Sequence, residues 1–307
     1  MNFFECMGRN SKVLMEGALG ERLKREYGLL FDEQVAMAGL VYTKEGRTAL
    51  KELWNGYLSI AKKYRVPFLA TTPTRRANRE RVEKSSFDAS IIRDNVAFLR
   101  SVQQESDSIM YVGGLMGCKG DAYTGEDALS EEEAFQFHSW QAELFSQSNA
   151  DFLMAGIMPT LPEAAGMARA MEAVNIPYII SFTIQKDGRL IDGTTISDAI
   201  SYIDSVTTRQ PVCYMTNCVH PSIVYEALSQ PFNDNPVVQE RFRGIQANTS
   251  PLSYAELDGS TDLKCSEPED LAHAMKRLTE KGNFQIFGGC CGTDCRHMES
   301  IAKEIIL

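Results

Sequence analysis

Basic residues are in the minority in this chain. Its 31 lysines and arginines stand against 41 aspartates and glutamates, a formal net charge of −10 over 307 residues. Nucleic acid and anionic bilayer surfaces are bound through basic patches, so this balance argues against both as partners. Long apolar runs are missing as well. No segment approaches the roughly 18 uninterrupted apolar residues of a membrane span. The first residues, Met1-Asn2-Phe3-Phe4-Glu5-Cys6, lack the basic stretch and apolar core of an export signal. The cytoplasm is therefore the expected compartment, and there the eight cysteines read as metal ligands or buried thiols rather than as four disulfides. With no low-complexity linker, short repeat or composition break, one domain over residues 1–307 is expected. A dinucleotide fingerprint is also lacking, because Gly17-Ala18-Leu19-Gly20 does not give the GxGxxG spacing.

What the chain does contain is a regular alternation of β-branched or apolar runs with amphipathic stretches. The runs 12–16, 66–72, 109–114, 151–155, 178–183, 212–217, 242–247 and 284–288 read as strands. The stretches 46–64, 86–105, 130–147, 161–174, 196–209, 222–229 and 268–281 read as helices, with start signals at Ser130 and at Ser266-Glu267-Pro268. Eight such units predict an α/β fold, the (β/α)8 TIM barrel, with every strand's C-terminal end at one mouth.

The densest chemistry lies at two of those ends. Phe287-Gly288-Gly289-Cys290-Cys291-Gly292-Thr293 closes the eighth run, and Asn217-Cys218 closes the sixth. Side chains of neighbouring strand residues point to opposite faces, so Cys290 and Cys291 reach one ion only if the strand stops there, a turn the flanking glycines permit. Strands six and eight lie two apart in the barrel ring. Cys218, Cys290 and Cys291 then form a soft three-thiolate site with one position open, which suits catalytic Zn2+. Such an ion lowers the pKa of a thiol that joins it.

With His297 and Glu16-Gly17-Ala18-Leu19-Gly20 added, these motifs resemble the homocysteine S-methyltransferase family along essentially the whole chain. The resemblance implies a zinc-bearing (β/α)8 barrel with Cys218, Cys290 and Cys291 as the metal ligands. It also implies methyl transfer to a small-molecule thiol, homocysteine by default, giving methionine. The family's donors include S-methylmethionine, S-adenosylmethionine, betaine and methylated corrinoids, and this length resembles members that use a sulfonium donor. Around the acceptor, the resemblance points to Glu16, Gly17, Thr72, Asn217 and Gly289. The family pattern carries Asp-Gly where Glu16-Gly17 stands, and Glu-Thr after the fourth strand where Ala155-Gly156-Ile157 stands. It carries Thr-Asn-Thr-Phe where Thr72-Pro73-Thr74-Arg75 stands, and Pro-Asn where Ala247-Asn248 stands. The metal motif is intact, and the differences fall on loops that would read the acceptor.

Two further readings keep part of this chemistry: methyl transfer to another thiol or selenol, and a zinc- or thiol-binding barrel without catalysis. A Cys290–Cys291 disulfide is a redox reading of the same pair. Arg75 and Arg76 read as a solvated helix face, with a grip on a substrate carboxylate as the alternative. Cys213 reads as core, and Cys6 and Cys265 as packed or surface thiols. Cys118 lies near the presumed mouth. Cys295 is not needed as a ligand, His297 reads as a helix-start residue, and His220 as a spare ligand. Trp54 and Trp140 read as packing.

Overall fold

Eight parallel strands close into a barrel in sequence order. They are β1 (Val13–Met15), β2 (Phe68–Thr71), β3 (Met110–Gly117), β4 (Phe152–Met158), β5 (Tyr178–Phe182), β6 (Cys213–Val219), β7 (Phe242–Ala247) and β8 (Ile286–Gly289). The computed structural model describes residues 1–251 and 266–306. Closure is made by β8 against β1, with Val13 beside Ile286 and Leu14 beside Phe287. Being covered on both faces, the strands are apolar nearly throughout, as parallel strands must be. Alternate residues such as Met15, Leu69, Phe152, Met154 and Met215 fill the interior. Their neighbours, among them Leu14, Phe68, Leu153 and Tyr214, pack under the helices.

The end of the barrel opposite the strands' C-termini is closed by a helix absent from the sequence reading, Phe3–Arg9, started by a reciprocal Asn2–Glu5 cap. Its Phe3 stacks on Phe152 with ring centroids 4.5 Å apart. Among the described residues no helix is long and apolar enough to cross a membrane.

Most expected helices stand within a few residues of their predicted ends. The 86–105 stretch starts late, as the single helix Ser90–Gln104, and a short helix not among those expected, Arg79–Lys84, precedes it. Ser85 Oγ accepts from Phe87 N at 3.1 Å and Asp88 Oδ1 accepts from Ser90 N at 2.8 Å. These two side chains draw backbone donors away from helix over 85–90, which delays the helix start to Ser90. Ser130 starts its helix as expected, with Glu133 completing a capping box. At the helix Pro268–Arg277, Glu267 rather than Ser266 is the cap residue.

Three strands, β3, β4 and β6, run further than the sequence suggests, and β4 and β6 each carry an irregularity near the mouth. The β4–β5 register shifts between Ala155 and Met158, and the β6–β7 register between Asn217 and Val219. Ile157 (φ 58°) and Cys218 (φ 60°) sit at these shifts in the left-handed region, where a β-carbon crowds the backbone.

Candidate metal centre

Cys218 would share the barrel wall with Asn217 but face away from it if β6 were regular. The bulge re-aims it, and Cys218 lies buried at the strand's end. Cys290 and Cys291 are placed by a tight turn. Thr293 N and Thr293 Oγ1 both donate to Cys290 O, at 3.1 and 2.7 Å. Gly292 takes the positive φ (81°) that the third position of a type II turn demands. A β-carbon on Gly289 would stand 2.2 Å from Thr293 Oγ1, so only glycine lets the turn fold back on β8. Cys290 N donates to Ala247 O at 2.7 Å, which holds the turn against β7.

The three sulfurs lie within 4.8 Å of one another, and Cys218 Sγ is 3.5 Å from Cys291 Sγ. Two thiolates on tetrahedral zinc, each about 2.3 Å from the ion, stand roughly 3.8 Å apart. The donor set therefore fits zinc in both softness and spacing, and it leaves one position open. The thiols already interact without an ion. Contacts from Cys290 and then Cys291 pull the Cys218 thiol well below its ordinary pKa, and the contact with Cys218 holds Cys290 well above its own. Cys291 is pushed up to about 12, chiefly by Cys218.

Other side chains, given no role toward the metal by the sequence, support this trio. Asn248 Nδ2 donates to Cys218 Sγ at 3.6 Å, and Ser250 N holds Asn248 Oδ1 at 2.9 Å. Glu21 Oε2 accepts from Gly292 N at 2.7 Å. Thr293 Oγ1 also accepts from Ala18 N at 3.0 Å, tying the turn to the end of β1.

Of the residues expected around an acceptor, Glu16 is buried at the end of β1. Thr71 N meets both its oxygens at 3.1 Å, and the Thr71 hydroxyl donates to Oε1 at 2.6 Å. Burial pushes the Glu16 carboxyl up to about 8, against the lowering effect of the Thr71 hydrogen bonds. Asn217 accepts from Ser181 and donates to Gln246, forming a polar layer above the apolar interior. Gly17 lies against Tyr57, whose ring atoms a β-carbon there would meet at 2.7 Å. The Thr72 hydroxyl is engaged by Leu115 N at 3.1 Å and Thr74 Oγ1 at 2.7 Å. Gly289 serves the turn already described.

The other singled-out residues fall outside the trio. His220 caps the helix Pro221–Leu228 and contacts Ser222 and Ser266; burial pushes it down to about 4. His297 sits in the first turn of Cys295–Ile306 and pairs with Asp294 at 2.8 Å. Cys295 lies against Gly56, where its sulfur is 2.9 Å from a β-carbon position. Cys118 is buried just past β3, with its thiol pushed up to about 12 by burial. Cys213 and Cys6 belong to the interior cluster. Cys265 lies outside the described residues. All the described cysteines, Cys290 and Cys291 included, are free thiols. Trp54 is fully buried and Trp140 packs at the core's edge.

Arg75 and Arg76 do not lie on a helix; they occupy a turn before Asn78, the cap of Arg79–Lys84. Gly156 stands where the fourth strand bulges, and a β-carbon there would meet Leu115 Cδ1 at 2.9 Å. An apolar side chain therefore covers the place where the family pattern carries a carboxylate.

Comparison with known proteins places this geometry in context. A family model described as homocysteine S-methyltransferase matches residues 13–305. The chain is similar to a homocysteine S-methyltransferase of Bacillus subtilis strain 168, 26% identical over 188 residues, which are 60% of this chain and 56% of that protein. It is also similar to betaine–homocysteine S-methyltransferase 1 of Danio rerio, 24% identical over 259 residues, covering 73% of this chain and 57% of the relative. The matched parts thus span about half the length of these curated relatives. In fold, the chain resembles the metallated form of the Escherichia coli homocysteine methyltransferase MmuM, with a TM-score of 0.77 and 18% identity over 97% of this chain and 98% of that one.

Proposed function

The chain belongs to the homocysteine S-methyltransferase family, and from that membership we propose that it is a zinc-dependent enzyme moving a methyl group from a sulfonium donor to a thiol. The observation that carries the reading is the meeting of Cys218, Cys290 and Cys291 within 4.8 Å at the mouth where barrel enzymes do their chemistry. Held by these cysteines, zinc would supply Lewis-acid activation of an acceptor thiol at its open position. Homocysteine is the acceptor that family membership supplies, and S-methylmethionine or S-adenosylmethionine the donor. The cytoplasm as compartment belongs to the same proposal.

The chain's own residues bind and orient. The three cysteines contribute more negative charge than a dication neutralises, and that excess attracts a cationic sulfonium. Asn248 fixes the Cys218 sulfur, while Thr293 and Glu21 fix the turn that bears the other two. Glu16, largely protonated at neutral pH, adds no competing negative charge to the mouth. In the transfer, the acceptor's sulfur forms a bond to the methyl carbon as the donor's C–S bond breaks. The donor leaves as a neutral thioether, and the acceptor's proton goes to solvent. No protein nucleophile is needed, and most of the rate comes from holding the two sulfurs and the carbon in line.

The test is a methyl-transfer assay on zinc-loaded protein under reducing conditions, with both sulfonium donors and homocysteine, beside Cys290→Ala. Methionine from the parent, about one zinc per chain, and loss of both in the variant are the expected outcomes. A parent that binds no zinc overturns the mechanism. A second reading, the same transfer to a different thiol, is favoured by the apolar cover at Gly156.

A further inference from the structure

We propose that Gln246 positions the acceptor, its side-chain amide N–H groups receiving the α-carboxylate of homocysteine below the metal centre; this rests on the methyl-transfer reading above. Gln246 stands between the two strands that lead to the cysteines. In register it lies beside Asn217, the residue before Cys218, and beside Gly288, two residues before Cys290. Its side chain turns into the barrel. A β-carbon on Gly288 would meet Gln246 Cγ at 2.9 Å and Met15 Cβ at 2.9 Å, and Met15 belongs to the interior cluster. Gln246 is thus on the inner face, two strand residues or about 7 Å below the cysteine turn. Homocysteine spans about 6 Å from its sulfur to a carboxylate oxygen when extended, which matches that drop.

The sense of the amide is set from deeper in the wall. Ser181 is fully buried, and among the described residues its hydroxyl has one side-chain partner, Asn217 Oδ1, to which it donates. Asn217 Nδ2 in turn donates to Gln246 Oε1. Turning Asn217 over would make its Nδ2 the donor to Ser181 and leave the buried hydroxyl proton without an acceptor. A serine, an asparagine and a glutamine thus form a one-way relay that ends on Gln246 Nε2.

That nitrogen has no partner among the described residues, yet it is not sealed inside the protein, although Gln246 as a whole is only 7% exposed. Neighbouring donors at the mouth are committed elsewhere. Thr71 gives both its N–H and its hydroxyl to Glu16, and the Thr72 hydroxyl is engaged by Leu115 N and Thr74. A primary amide held at its oxygen and open at its nitrogen is a preset donor, and its matching ligand group is an anionic oxygen.

The experiment compares homocysteine with 3-aminopropane-1-thiol, which is homocysteine without its carboxylate, in the parent, Gln246→Met, Ser181→Ala and the double variant. Thiol binding is read from the thiolate-to-metal absorption of the cobalt-loaded full chain. The KM values of homocysteine and of S-methylmethionine are read separately from product formed by the zinc-loaded chain. Gln246→Met is expected to weaken homocysteine binding about tenfold or more and to raise its KM by the same factor, with little change in kcat. The response to 3-aminopropane-1-thiol stays that of the parent, which reports a folded, metal-holding variant. Ser181→Ala shifts homocysteine in the same direction, so the test does not hang on one variant. Ser181→Ala/Gln246→Met is no weaker than Gln246→Met alone, because the serine acts only through the glutamine. Equal weakening of both thiols, homocysteine binding unchanged in Gln246→Met, additive effects of the two changes, or a KM shift confined to the sulfonium donor would overturn the inference while leaving methyl transfer standing. If the parent methylates neither thiol, the methyl-transfer reading fails, and this inference with it.

Discussion

At the scale of single residues, Asn248 shows how much of the candidate centre lies outside its ligands. Its amide reaches Cys218 Sγ, and its own carbonyl is held by Ser250 N. Groups that orient metal ligands in this way are worth about 10- to 100-fold in metal affinity. Asn248→Ala is therefore expected to weaken zinc binding by about tenfold or more, measured by chelator competition, with little change in melting temperature of the metal-free protein. Cys290 and Cys291 were legible in the sequence because adjacent cysteines between glycines have few other uses, and Cys218 because it closes a strand two places away in the ring. Asn248 was visible only as a departure from a family pattern, and Thr71 not at all. A hydrogen bond to sulfur or to Glu16 depends on side-chain aim, which neighbours in space decide. The left-handed backbone at Cys218 and Ile157, each at about 1–2 kcal/mol, was likewise hidden, since β-branched and thiol side chains give no local signal of it.

At the scale of elements, β8 and its turn act as one unit. An alanine at 289 would collide with Thr293 Oγ1, and that atom cannot swing aside without losing Ala18 N and Cys290 O. Gly289→Ala is expected to cost about 1–3 kcal/mol and to lower zinc stoichiometry, both read on one sample by thermal melting and metal analysis. A melt and a zinc content equal to the parent's would show that the turn relaxes freely. Strand positions were readable because parallel strands buried on both faces leave unbroken apolar runs. The late start of the helix expected over 86–105 was not, because Ser85 and Asp88 compete for backbone donors only once the chain has turned. Arg75 and Arg76 were misread for the same reason: charged runs near a helix start resemble a helix face until the Asn78 cap fixes where the helix begins.

At the scale of the whole molecule, the barrel was legible from the count of eight alternating units, and its interior imposes a pH dependence that the sequence did not reveal. Glu16 has an ordinary pKa of 4.5 and is raised to about 8 by burial. Between those values the folded chain keeps a proton that the unfolded chain releases, so stability is greatest below the lower value. It falls as pH rises toward the upper one, by at most about 1.4 kcal/mol per unit. Glu16→Gln carries no such proton. The parent's melting temperature should therefore decline relative to that variant between pH 6 and pH 8 at equal metal content. Parallel curves would mean that the carboxyl is ionised in the folded protein.

The strands that bear the three sulfurs also set when the site can exist. Cys218 ends β6, while Cys290 and Cys291 follow β8, the strand that closes the ring against β1. A nascent chain halted before β8 carries one of the three cysteines and no closed wall, so it would have nothing with which to sequester an ion. On the zinc reading proposed above, metal capture would be deferred until synthesis has passed the last strand, and retained zinc would be a molecular receipt for a finished barrel.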